Sequence, residues 1–99
     1  MRGLTIIVVS ADSERFKAAL AIASAHAALV GRARVYLHDA AVGCLLQASA
    51  LGTAQELGVA LIACQTGLAN AAIPLPVGVD AGGLVSLLAE LGDDRLVTV

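Results

Sequence analysis

The first strong pattern is Leu4-Thr5-Ile6-Ile7-Val8-Val9, a continuous β-branched and aliphatic run closed by Ser10-Ala11-Asp12-Ser13. A run apolar at every position suits a strand buried on both faces, as in a parallel sheet. Asp12 or Ser13 then caps a helix, with Glu14 and Arg15 in its first turn and Gly31 as its stop. Along that Ala-rich helix, Phe16, Leu20, Ala23, Ala27 and Val30 make one stripe, and Ile22, His26 and Leu29 make a second. Two apolar stripes predict a helix covered by the sheet on one side and by something else on the other.

The alternation then repeats. Ala33–His38 reads as a second strand, and Ala40–Leu46 as a weakly defined helical stretch. A helix over Ser49–Leu57 is closed by Gly58, and Val59–Ala63 is a third buried strand. A short helix over Leu68–Ala72 ends before Pro74-Leu75-Pro76, with a short strand expected at Val77–Val79. Asp80 is placed as the cap of a helix over Ala81–Leu91, and Arg95–Val99 closes the chain as a strand. Strands and helices alternating at this spacing predict right-handed βαβ units. The expected architecture is one domain over residues 1–99, a three-layer α/β/α fold with a mostly parallel sheet of about five strands.

Composition narrows the function classes. Hydrophobic residues make up 59% and charged residues 14% of the 99 positions, against about 25% charged in ordinary soluble domains. A chain this short leaves some of that apolar excess uncovered, so a partner subunit is expected. A membrane does not fit as the cover. Only 14 residues separate Lys17 from Arg32, and the longest uncharged run, Leu57–Val79, is broken by Gln65, Thr66, Asn70, Pro74 and Pro76. The apolar run Gly3–Val9 is too short to make a secretory leader with its flanks and is better used as a strand. The expected location is cytoplasmic, and the two cysteines are expected as thiols. Nucleic acid is not expected as a partner: the cations Arg2, Arg15, Lys17, Arg32, Arg34 and Arg95 are scattered, and Phe16 and Tyr36 are the only aromatic rings.

Candidate chemistry lies where open parallel sheets gather it, at the carboxyl ends of strands. There stand Asp12/Ser13, His38/Asp39, Cys64/Gln65/Thr66 and Asp80. Cys64 follows a buried strand directly and precedes a helix start, where unpaired N–H groups favour a thiolate. The Thr66 hydroxyl is placed to donate to its sulfur, beside Gly67. The plainer reading is a buried cysteine acting as a small hydrophobe. His38-Asp39 is a candidate proton donor or orienter near Cys64, with a solvated strand end as the plainer reading. Cys44, among Leu45 and Leu46, reads as packing. Cys44 and Cys64 are too far apart in sequence for a C-x-x-C pair. Two Cys and two His show no metal-ligand spacing, and Gly78 with Gly82-Gly83 fits neither phosphate-loop pattern. No cofactor and no metal are expected.

The first strand, Ala-rich helix and second strand, then Glu56-Leu57-Gly58-Val59 and Ala63-Cys64-Gln65-Thr66-Gly67-Leu68, resemble the DsrE/DsrF-like family. These are small sulfur-relay proteins related to the subunits of the tRNA 2-thiolation relay. Gly78-Val79-Asp80-Ala81-Gly82-Gly83 is similar to the segment leading into that family's last helix. The resemblance spans nearly the whole chain, and Ala63–Thr66 is its most specific part. It implies a sheet of about five mostly parallel strands and assembly into trimers or hexamers, of one chain or of paralogous subunits. It also implies that Cys64 carries sulfur as a persulfide between donor and acceptor proteins, a sulfurtransferase-type role without a cofactor. A non-catalytic oligomeric scaffold or small-ligand-binding subunit is the alternative on the same fold.

Overall fold

A computed structural model describes residues 2–46 and 51–99. Five strands, β1 (Leu4–Val8), β2 (Ala33–Leu37), β3 (Val59–Cys64), β4 (Val79–Gly82) and β5 (Arg95–Thr98), form one sheet in the order β4-β3-β2-β1-β5. Every neighbouring pair is parallel. Among the described residues the helices that connect them are α1 (Ser13–Val30), α2 (Leu51–Glu56), α3 (Gln65–Ala71) and α4 (Leu84–Ala89). A 3-10 helix over Asp39–Leu46 stands where a helical stretch is expected from Ala40. The three-layer α/β fold with five strands is the one the sequence predicts.

Burial follows position in the sheet. The inner strands β1 and β2 are buried at every residue, as a sheet covered on both faces requires. The third strand departs from expectation: Ala60 is exposed and Ile62 half-buried, so the face they share is thinly covered. The α1 stripe of Phe16, Leu20, Ala23 and Ala27 packs into the core. Its second stripe stays open, with Ile22 53% and Leu29 84% exposed, while the His26 Nε2 pairs with the Arg2 carbonyl at 3.1 Å. Asp12 caps α1, its Oδ1 accepting the Arg15 N–H at 2.9 Å, and Gly31 ends it with φ of 93°.

The last third corrects several expectations. Asp80 does not cap a helix. It lies within β4, because Leu61↔Val79 through Cys64↔Gly82 pair in register and hold the chain extended to Gly82. The strand expected at Val77–Val79 therefore begins at Val79, and α4 starts at Leu84 with Gly83 as its cap. The short helix α3 begins at Gln65, three residues earlier than expected. The helix expected over Ser49–Leu57 is present as Leu51–Glu56; Ser49 and Ala50 lie outside the described residues.

A buried ionic knot ties the turn before β5 to the inner strands. Asp94 Oδ2 accepts the Thr5 hydroxyl at 3.2 Å and pairs with Arg34 at 3.4 Å and Arg32 at 3.3 Å. Arg34 Nε also donates to the Thr5 oxygen at 3.2 Å. Among the described residues no helix is long and apolar enough to cross a membrane.

Candidate functional site

Side chains alternate along a strand, so Tyr36 and His38 share the face of the sheet that carries Ile62 and Cys64. The register sets Tyr36 beside Ile62 and Cys64 beside Gly82, which brings the phenol diagonally toward the sulfur. Tyr36, His38, Cys64 and Gly82, with Asp39 and Thr66, line an open cleft of about 440 Å³ at the carboxyl end of the sheet. Parallel sheets place ligands there because strand-to-helix turns converge at that end. Among the described residues no Lys or Arg lines the cleft.

Cys64 is the cap of α3, and its sulfur accepts the Gly67 N–H at 3.4 Å. At 8% exposure it is buried yet reaches the cleft. Burial pushes the thiol up, but hydrogen bonds outweigh it and leave the net shift downward. The donors are the main-chain N–H groups of Gly67 and Asp39, the Tyr36 hydroxyl and the Thr66 N–H. A thiolate so held adds stability above the ordinary thiol range, and that stability is lost as pH falls through the lowered value.

Two positions make this arrangement. Asp39 adopts φ of 51°, a left-handed turn that aspartate tolerates better than most residues. Gly67 lets α3 close on that turn, since a Cβ there would run into the Asp39 carbonyl. The side-chain roles expected of Thr66 and Asp39 fall instead to their backbone. Thr66 and Asp39 have exposed side chains, and it is their main-chain N–H groups that favour the thiolate. His38 is half-buried in the cleft wall, and its Nδ1 is shielded from solvent without a hydrogen-bond partner among the described residues. Asp12 and Asp80 lie outside the cleft lining. Cys44 is fully buried, its Sγ 3.9 Å from the Ser10 carbonyl. Burial, joined by the Asp12 charge, pushes its thiol up, which fits the packing role expected for it.

The residue that sequence reasoning missed is Tyr36. A phenol inside a fully buried parallel strand needs a hydrogen-bond partner, and that need was the available signal. Burial, then the hydrogen bond with Cys64 and its charge, push the phenol up to about 12 from 10.0. The neutral phenol is thus favoured by folding. Its stabilisation is complete below pH 10 and is lost as pH rises through about 12. Tyr36 is the only tyrosine and there is no tryptophan, so tyrosinate absorbance reports this group alone. The native chain is expected to titrate near 12, and Tyr36→Phe to move the pH midpoint of Cys64 alkylation upward. A native phenol midpoint at 10 would contradict the contact.

Among the described residues no three His, Cys, Asp or Glu side chains gather to hold a metal ion. In comparison with known proteins, no protein-family model and no curated protein matches the chain.

Proposed function

We propose that the chain is a sulfur carrier of the DsrE/DsrF-like kind, accepting and passing sulfane sulfur through Cys64. One observation carries the reading: the sulfur sits where Gly67, Asp39 and Thr66 offer N–H groups and Tyr36 offers a hydroxyl, and it opens to a cleft. The Cys64 thiolate attacks the outer sulfur of a donor persulfide, forming Cys64–S–SH. The donor's S–S bond breaks, and its thiolate leaves with the electron pair. An acceptor thiolate then repeats the attack on the new outer sulfur. The donors that hold the thiolate also hold the leaving charge on Cys64 in that second step. His38, half-buried in the cleft wall, is the side chain we assign to take or return the proton. The scheme draws on no cofactor and no metal.

Thiol chemistry of this kind belongs in a reducing compartment, and we place it in the cytoplasm. Assembly as a homo-oligomer, trimer or hexamer, or with paralogous subunits is part of the proposal. Leu29 on α1 and Val85 on α4, each 84% exposed, are apolar surface that such contacts would cover. The same surface favours the second reading, a non-catalytic oligomeric scaffold or small-ligand-binding subunit. The test is cyanide-releasable sulfur after incubation with a small persulfide donor and desalting. About one thiocyanate per chain is expected from the native protein, and none from Cys64→Ser. Equal release from both proteins would sink the carrier reading and leave the scaffold.

A further inference from the structure

Beside the Cys64 cleft lies a second one, lined by Arg34, Ile62, Asp80, Ser86 and Glu90 among others. The two share Gly82 and Gly83, so they run together over that pair. The fold accounts for Gly82, where a Cβ would come within 2.9 Å of Ile62 Cγ2. It does not account for Gly83. Gly83 has φ of −131° and ψ of 159°, extended backbone open to any residue, and a Cβ there meets nothing within 4 Å. Gly83 also caps α4 without a side-chain hydrogen bond, where Asn, Asp or Ser would serve the helix better. Gly52 on α2 has similar open space, but it lines neither cleft. The charges along this path are Asp39, Asp80 and Glu90 against Arg34, whose guanidinium is already held by Asp94 and Thr5.

Resting on the carrier reading, we propose that the two clefts form one groove for a partner protein's extended segment, which bears lysine or arginine beside its cysteine. Gly83 stays bare because that segment crosses it. The step is the exchange already given: the segment's persulfide gives its outer sulfur to the Cys64 thiolate and leaves as a thiolate. A short segment recognised by charge and main-chain passage gains specificity mostly in its encounter rate, which salt weakens.

The probes are two pentapeptides, Ala-Lys-Cys-Lys-Ala and Ala-Glu-Cys-Glu-Ala, each activated as a mixed disulfide with thionitrobenzoate. Cys64 attacks the peptide sulfur, a new disulfide forms, and the coloured thionitrobenzoate leaves with the electron pair. Iodoacetamide alkylation of Cys64 serves as the reference reaction, with Cys44→Ser as the background throughout. The lysine peptide is expected to react several-fold faster than the glutamate peptide at low salt, with the gap closing as salt rises. Gly83→Asn, which keeps a good helix cap, is expected to cut the ratio of peptide exchange to alkylation at least tenfold, as is Gly83→Leu. An unchanged ratio in both variants overturns the groove, and so does an equal preference for the two peptides. Native protein that fails to react with iodoacetamide or a small persulfide overturns the carrier reading itself. Loss of selectivity with those reactions intact touches only the groove.

Discussion

Replacing Asp94 with alanine is expected to destabilise the fold by about 3–5 kcal/mol, the cost of leaving a buried charge without its partner. The Arg34 and Asp94 side chains are 11% and 3% exposed, and Thr5 between them is fully buried. Without the carboxylate, the guanidinium keeps, among the described residues, the Thr5 oxygen alone, and the Thr5 hydroxyl loses its acceptor. Arg32, with its side chain 55% exposed, turns to water and contributes little to the loss. The double variant Arg34→Leu/Asp94→Leu removes both charges and is expected to lose less than Asp94→Ala alone. Urea unfolding followed by circular dichroism measures both. A loss under about 1 kcal/mol for Asp94→Ala, typical of a surface pair, would show that the knot is solvated.

Gly67→Ala tests how the sulfur is activated. The added methyl meets the Asp39 carbonyl, so either α3 or the start of the 3-10 helix must move. Overpacking of this kind costs about 1–3 kcal/mol. The movement separates the Gly67 and Asp39 N–H groups from the sulfur they share. The pH midpoint for alkylation of Cys64 is then expected to rise toward the ordinary thiol range. The sign follows from the donors: they favour the charged form, so weakening them returns the proton to sulfur. Reduced stability with an unchanged thiol profile would mean that those N–H groups do not set the thiolate.

The parts of the fold legible in the sequence are those whose causes are local or are written in side chains. Leu4–Val8 reads as an inner parallel strand because both of its faces are buried, and Asp12 and Gly31 bound α1 by cap chemistry. β4 is less legible, because Val79 is its one buried residue. Pairing with β3 holds that strand, through backbone groups that leave no mark on the side-chain pattern. The Asp94 knot joins residues 60 and 89 positions apart, a distance that no local pattern spans.

The site divides the same way. The position of Cys64 at the end of β3 and the cap of α3 is legible because a strand-to-helix junction is a local feature. The sequence points to the side chains of Thr66 and Asp39, whereas it is their backbone N–H groups that face the sulfur, and that depends on the left-handed turn at Asp39. Tyr36 is not legible as a site residue, because its place depends on the register of two strands, in which it sits diagonally from Cys64.

The most direct test of the carrier reading is the intact mass of the chain, under non-reducing conditions, after exposure to a persulfide donor. Native protein and Cys44→Ser are expected to gain one sulfur atom, reversibly with reductant, while Cys64→Ser gains none. A gain that persists in Cys64→Ser and vanishes in Cys44→Ser would contradict the account, as would no gain from a Cys64 that still alkylates.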